Sequence, residues 1–199
     1  MKTIRLLDCT FSIIGLIVLS PLLLIIGLLI KLDSKGPVLY RQSRVGKNGV
    51  PFLLLKFRTM RTGSDKNGLL TVGGKDSRIT RIGYYLRQYK LDELPQLVNV
   101  VKGEMSLVGP RPEVKKYVDL YNEQQREVLS VRPGITDLAS IVYRNENELL
   151  AAHPDPEQYY ITEIMPGKIE LNFKYIRNQT TRGYLQIIFK TIFSAIRGK

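Results

Sequence analysis

Residues Cys9–Ile30 read CTFSIIGLIVLSPLLLIIGLLI, twenty-two positions without a charge, and the fold turns on how this segment sits. As a straight helix at 1.5 Å per residue it would reach roughly 33 Å, enough for a bilayer core. Two features speak against an ordinary crossing. Ser20-Pro21 stands in the middle, where Pro removes a backbone hydrogen bond and clashes with the carbonyl four residues back. Helices in lipid tolerate such a bend, so Pro21 alone is compatible with a kinked span. The flanks carry more weight. Lys2 and Arg5 precede the segment, and Lys31, Lys35, Arg41, Arg44 and Lys47 follow it. Positive residues mark cytoplasmic ends, and both ends qualify. The expectation is a re-entrant helix that breaks at Ser20-Pro21 and returns to the side it entered. Asp8 is costly near a membrane, and Arg5, on the same helix face, is its expected partner. No small-x-small site follows the run, which argues against a cleaved signal peptide.

The remainder, residues 33–199, is long enough for one compact domain. The 199 residues include 30 Lys+Arg against 18 Asp+Glu, a formal charge of +12, nearly all of it outside the hydrophobic segment. That excess suits an anionic partner such as phospholipid headgroups, nucleic acid or phosphorylated substrates. A single cysteine, Cys9, excludes an internal disulfide and a cysteine-based metal cluster. The single histidine, His153, lies in His153-Pro154-Asp155-Pro156, a loop sequence, and is given no role. Acid–base or nucleophilic chemistry must then come from carboxylates, hydroxyls or lysines.

The pattern is α+β and predominantly helical. Val38–Arg41 and Pro51–Arg58 read as short strands around Gly46-Lys47-Asn48-Gly49. Thr62–Asp76, rich in Gly, Asp and Lys, reads as a loop. Ile79–Lys90 has apolar residues at helical spacing, and Pro95 opens a short helix to Val101. Pro112 is expected to open a longer one to about Ser130. At the end, Leu185, Ile188, Phe189, Ile192, Phe193 and Ile196 form an apolar stripe. It is expected to pack on the core, with a place in the membrane interface, Lys190 and Arg197 towards headgroups, as the alternative.

Three clusters put charge where Gly or Pro restrains the backbone. Lys56-Phe57-Arg58-Thr59-Met60 ends a strand, and alternation puts Lys56 and Arg58 on one side. Leu91-Asp92-Glu93-Leu94-Pro95 sets adjacent carboxylates at a helix start, and Gly109-Pro110-Arg111-Pro112 holds one Arg between two prolines. Each has a bland reading: first-turn acids beside a helix dipole, a surface cation, a solvated strand face. Together they describe a phosphate site. Carboxylates bind Mg2+, usually one or two of them with water and phosphate oxygens. Arg offers a planar fork for phosphate. A carboxylate can also attack phosphorus and divide one transfer into two.

These motifs, with Arg5-Leu6-Leu7-Asp8 before them and Arg132-Pro133-Gly134-Ile135-Thr136 after, follow in an order that resembles the bacterial sugar transferases, the small monotopic phosphoglycosyl transferases. The likeness runs from about Lys2 to Ser140. It implies a re-entrant membrane helix (residues 1–32) and a cytoplasmic catalytic domain (residues 33–199) at the inner face of a bacterial cytoplasmic membrane. It further implies Mg2+, a UDP-sugar donor and a polyprenyl (undecaprenyl) phosphate acceptor. A ping-pong reaction would release UMP and start glycan assembly, the sugar being N-acetylated or amino-deoxy. By the resemblance Asp92 matches the nucleophile and Glu93 its partner for metal or proton. Arg111 matches the phosphate-binding Arg, with Arg87, Lys56 and Arg58 as further phosphate or nucleotide contacts. Arg5 and Asp8 match an anchor, and Ser20 and Pro21 the break, of the membrane helix. Asp137 departs from the family pattern, which often has Gly there. The competing reading is a non-enzymatic module that binds anionic lipid or nucleic acid through its basic excess. Such a module has no use for an embedded carboxylate dyad, and nucleic acid is not the expected partner.

Overall fold

A computed structural model of the protein describes residues 2–64 and 76–196. Most of the Thr62–Asp76 stretch, and Arg197, lie outside them. The chain begins with helix α1, Lys2–Asp33. An antiparallel hairpin follows, β1 (Leu39–Val45) and β2 (Pro51–Phe57), pairing Leu39 with Phe57 and Val45 with Pro51. Asn48 and Gly49 make its turn at φ 57° and 77°, the left-handed region that Asn and Gly reach most easily. Helix α2 (Arg81–Gln88) is capped by Thr80, whose hydroxyl accepts from the Gly83 amide. A 3-10 turn over Leu91–Glu93 leads into α3 (Gln96–Lys102). Strands β3 (Ser106–Val108) and β4 (Gly134–Thr136) pair in parallel.

The expected long helix from Pro112 to Ser130 is instead two short ones, α4 (Lys115–Val118) and α5 (Glu123–Arg126), and a 3-10 turn. Asn122 and Gln125 form a reciprocal capping box that starts a new helix mid-run. Its apolar positions still reach the core, where Tyr117, Val118, Tyr121 and Val128 pack with Tyr160, Ile164 and Ile169. The C-terminal part is helical: α6 (Leu138–Val142), α7 (Glu146–Ala151), α8 (Pro156–Tyr159), α9 (Met165–Arg177) and α10 (Thr181–Ile196).

Helix α1 corrects the expectation of a break. It runs through Pro21 as one helix, because Ser20 Oγ donates to Ile17 O at 2.8 Å. Ile17 O is the carbonyl that Pro21, lacking an N–H, leaves without its helical partner. The neighbouring hydroxyl thus replaces the lost bond. Arg5 and Asp8 also part company. Arg5 donates to Val100 O (2.6 Å) and Val101 O (3.0 Å), carbonyls at the end of α3. Asp8 Oδ1 instead accepts from Ser106 Oγ, the Leu107 amide and Tyr184 Oη at 2.8–3.0 Å.

The far end of α1 is held as firmly. Ile26 and Ile30 pack on Phe57 and Leu86, and Asp33 Oδ2 accepts from the Ile82 amide. The buried Arg58 guanidinium donates to Ile30 O, Ser34 O and Lys35 O at 2.6–3.3 Å. Between these anchors α1 presents large apolar side chains to the outside, among them Ile17, Val18, Leu24 and Leu28. The stripe on α10 divides. Leu185 and Ile188 pack with the buried Tyr184 and Ile187, as a core helix should, whereas Phe189, Ile192 and Phe193 are 68%, 52% and 56% exposed, an apolar surface left open to the outside.

Two glycines of this scaffold make opposite tests. A Cβ on Gly83 would collide with the backbone of Thr59, so Gly83→Ala should cost about 1–3 kcal/mol and lower Tm by several degrees. A Cβ on Gly27 of α1 meets only Val38 Cγ1, at 3.5 Å. Gly27→Ala should leave Tm unchanged or raise it, by about 0.5–1 kcal/mol of helix propensity. Thermal denaturation of both variants checks the pair.

Candidate active site

The carboxylate pair is built by backbone geometry. Lys90 takes a left-handed conformation (φ 56°) that ends α2 and turns the chain into the Leu91–Glu93 turn, leaving Asp92 and Glu93 buried. Glu93 is enclosed by cations. Its Oε1 accepts from Lys56 Nζ at 3.1 Å and from Arg111 Nη2, and its Oε2 faces Arg111 Nη1 at 3.4 Å. Burial alone would push Glu93 up, but Arg111 and Lys56 outweigh it and hold the carboxyl well below the usual range. Glu93 in turn raises the Arg111 guanidinium further. Burial lowers Lys56, against the pull of Glu93.

Asp92 is treated differently. Among the described residues its carboxylate makes no hydrogen bond or ion pair. Burial pushes its pKa up, Lys56 pulls it back, Glu93 adds to the rise, and Arg87 and Lys90 oppose it. One carboxylate is thus neutralised by two cations, and its neighbour is left open and destabilised as an anion. That division fits an acceptor of charge beside a reactive oxygen.

The Arg111 loop is fixed from several sides. The Gly134 amide donates to Pro110 O, the Gly109 amide to Thr136 O and Arg44 Nη1 to Pro112 O, at 2.9–3.0 Å. Gly109 and Gly134 approach so closely that a Cβ on either would strike the other's backbone or that of Arg132. Asp137, the departure from the family pattern, accepts the Arg111 amide at 3.1 Å and caps α6 through the Ser140 amide. This residue positions the loop that carries Arg111.

Of the six site residues expected from sequence, Asp92, Glu93, Lys56 and Arg111 are brought together, and Arg87 lies close enough to Asp92 to act on its charge. Arg58 is not with them. Strand β2 ends at Phe57, so alternation no longer governs Arg58, whose Nη1 and Nη2 are committed to the end of α1. Lys90, Arg44 and Asp137 also bear on the site. Lys90 and Arg44 carry no local signal, and Asp137 was visible only as an unusual residue. No group of three or more His, Cys, Asp or Glu poised for a metal occurs among the described residues. A carboxylate without a hydrogen-bond partner, beside an arginine, would suit a Mg2+ that arrives on a diphosphate, since that ion takes few protein ligands.

Comparison with known proteins places this site in context. The sequence profile of the bacterial sugar transferases matches residues 1–198. The UDP-N-acetylgalactosamine-undecaprenyl-phosphate N-acetylgalactosaminephosphotransferase of Aeromonas hydrophila is 39% identical over 96% of this chain and 43% of its own length. The UDP-glucose:undecaprenyl-phosphate glucose-1-phosphate transferase of Klebsiella pneumoniae is 38% identical over 98% of this chain and 40% of its own. An exopolysaccharide production protein of Rhizobium leguminosarum bv. phaseoli is 46% identical over 98% of this chain and 96% of its own. The chain thus spans about two fifths of the length of the first two relatives and nearly all of the third. The profile match, the relatives and the ordered motifs agree that the chain belongs to the bacterial sugar transferase family.

Proposed function

We propose that the protein transfers a sugar 1-phosphate from a UDP-sugar to undecaprenyl or another polyprenyl phosphate, releasing UMP and initiating glycan assembly. The observation that carries this reading is the unequal carboxylate pair: Glu93 sequestered by Arg111 and Lys56, Asp92 open beside it. The names of relatives that use UDP-sugars and undecaprenyl phosphate support it. In the first half-reaction an Asp92 oxygen attacks the sugar-bearing phosphorus. The phosphorus–oxygen bond to the other phosphate breaks, and UMP leaves with that electron pair. In the second, an oxygen of the polyprenyl phosphate attacks the same phosphorus and expels the Asp92 carboxylate, giving a polyprenyl diphosphate sugar. Arg111 and Arg87 bind phosphate oxygens through both steps, and Lys56 opposes the burial that favours a proton on Asp92. Mg2+ would be held by the donor diphosphate and Asp92, with Glu93 available only if it gives up Arg111, and it supplies charge that offsets the leaving UMP.

Membrane seating belongs to the same proposal. Both ends of α1 are bound to one domain, Arg5 and Asp8 at the start and Ile30 and Ser34 at the finish. A helix so tied enters and leaves the bilayer on one side, and the basic flanks favour the cytoplasmic face. The outward apolar faces of α1 and α10 are the surfaces that would meet lipid. The rival reading, a lipid-binding module without chemistry, leaves the cost of burying Asp92 unexplained.

Incubation with a UDP-sugar panel, Mg2+ and polyprenyl phosphate should yield UMP and not UDP. Asp92→Asn should lower turnover by about three orders of magnitude or more; full turnover in that variant would end the mechanism. Stability supplies an independent sign. A carboxyl raised by burial costs stability once ionised, a cost absent below its unfolded pKa and growing as pH rises through the folded one. Asp92→Asn should therefore raise Tm at neutral pH. Glu93 is held low, so its contribution is present above the ordinary Glu range and lost only as pH falls through its depressed pKa. Glu93→Gln should lower Tm at neutral pH. Topology is checked in a Cys9→Ser background carrying Lys2→Cys or Ser43→Cys. A membrane-impermeant maleimide should label neither in intact cells, and external labelling of either one overturns the one-sided insertion.

A further inference from the structure

Transfer asks Arg111 to hold a phosphate, yet its fork already holds a carboxylate. Its Nη2 pairs with Glu93 Oε1, and its Nη1 lies 3.4 Å from Oε2. This is the two-point arrangement in which arginine also grips a phosphate. Lys56 Nζ donates to the same Oε1 at 3.1 Å. A carboxylate oxygen therefore occupies the place between ammonium and guanidinium that an oxygen of the donor diphosphate needs. The three side chains are unequally enclosed. Those of Glu93 and Lys56 are 11% and 18% exposed, and that of Arg111 is 32% exposed. The backbone around Arg111 is pinned, its amide donating to Asp137 Oδ2 at 3.1 Å and Pro110 O accepting from the Gly134 amide at 2.9 Å. Arg111 is thus the member of the trio whose side chain can turn to an incoming ligand while its loop stays in place.

We infer that Glu93 is an internal occupant of the phosphate subsite: it holds Arg111 until a diphosphate arrives, whereupon the guanidinium passes to a phosphate oxygen and Lys56 keeps Glu93. The inference rests on the transferase reading and adds to it a regulation of that same site. The ligand-free protein is then in its closed state, with the charge of Arg111 spent on Glu93. Only the fraction of molecules in which Arg111 has let go can grip a phosphate, and apparent affinity falls by that fraction. The exchange also leaves Glu93 Oε2 without its cation, next to an Asp92 that has no bonding partner. Mg2+ carried in on the diphosphate would supply positive charge where the guanidinium has left. Diphosphate and cation are therefore expected to bind better together than either does alone. The competing arrangement keeps the ion pair closed. Arginine has five N–H donors, so the remaining ones could take a phosphate with Glu93 still in place. One guanidinium would then be shared between two anions, and Glu93 would help to bind the donor, not block it.

The two arrangements predict opposite signs for one substitution. Binding of UDP and of inorganic pyrophosphate to the full chain in detergent is measured by calorimetry, once with EDTA and once with Mg2+. Glu93→Gln frees Arg111 and should tighten both ligands in EDTA by about tenfold, while shrinking the gain that Mg2+ gives. Asp92→Asn removes the same charge from the same turn without touching Arg111, and should give a far smaller gain. Equal gains in the two variants reduce the effect to net charge and overturn the exchange. Unchanged or weaker binding by Glu93→Gln overturns it as well, because Arg111 then serves both anions. A gain seen with UDP and absent with pyrophosphate places the effect at the nucleoside and likewise overturns it. Failure of every protein to bind UDP in either buffer defeats the transferase reading and this inference with it. A crystal structure of the unsubstituted protein with UDP needs no variant to fold. Arg111 should then lie within hydrogen-bond reach of a phosphate oxygen and more than about 4 Å, the ion-pair limit, from both Glu93 oxygens. An Arg111–Glu93 pair that persists beside bound UDP overturns the exchange.

Discussion

Taking a charge out of water is the most expensive step in this fold, and the arrangement of the chain follows from how each buried charge is answered. Asp8 collects three donors on a single oxygen, the Ser106 hydroxyl and the Leu107 amide of β3 and the Tyr184 hydroxyl near the other end of the sequence. Arg58 spreads its guanidinium over carbonyls at the end of α1. Glu93 is gripped by Arg111 and Lys56. These contacts join segments distant in sequence, so they assemble the long first helix, the hairpin and the loops of the parallel strand pair into one unit. Asp92 is the exception that makes the others informative. Its neighbours moderate its charge without bonding to it.

The same economy explains why a helix as apolar as α1 needs charged residues at both ends. Hydrophobic packing of Ile26 and Ile30 on Phe57 and Leu86 is non-directional and would tolerate sliding. Hydrogen bonds from Arg5 to the end of α3 and from Arg58 to the end of α1 do not. They fix the register of the helix on the domain, and Ser20 repairs the single carbonyl that Pro21 would orphan. The helix therefore keeps its hydrogen-bond ladder past Pro21.

Much of this was legible in the sequence, and the parts that were not share a cause. The hairpin was readable because Asn48 and Gly49 announce a left-handed turn, and α2 because its apolar residues keep one period. The carboxylate pair and the Pro-flanked Arg111 could be recognised by order and spacing. Partner identity was not readable. Helical spacing put Arg5 beside Asp8, yet each found a better partner in a segment 95 and 99 residues away. Strand alternation paired Lys56 with Arg58 and failed one residue past the strand's end. The stripe on α10 told which residues share a face, but not whether protein or lipid would cover it. Asn122 cut the expected helix because a capping box is a local option that competes with apolar periodicity.

The end of β2 ties these observations together. Lys56 points to Glu93 of the candidate carboxylate pair, and Arg58, two residues on, clamps the last turn of α1. Gly36, at φ +127°, leaves the space that the Arg58 guanidinium occupies. A short stretch of backbone thus connects the apolar helix α1 to the candidate catalytic pair with little slack between them. On the proposed seating, the depth at which α1 settles in the bilayer would set the height of Asp92 above it. For a reaction whose second substrate is a phosphate on a lipid tail, that height decides whether an acceptor oxygen can reach the phosphorus at all. The clamp at Arg58, though it touches no phosphate, is therefore part of how this chain would bring a water-soluble donor and a membrane-bound acceptor to one point.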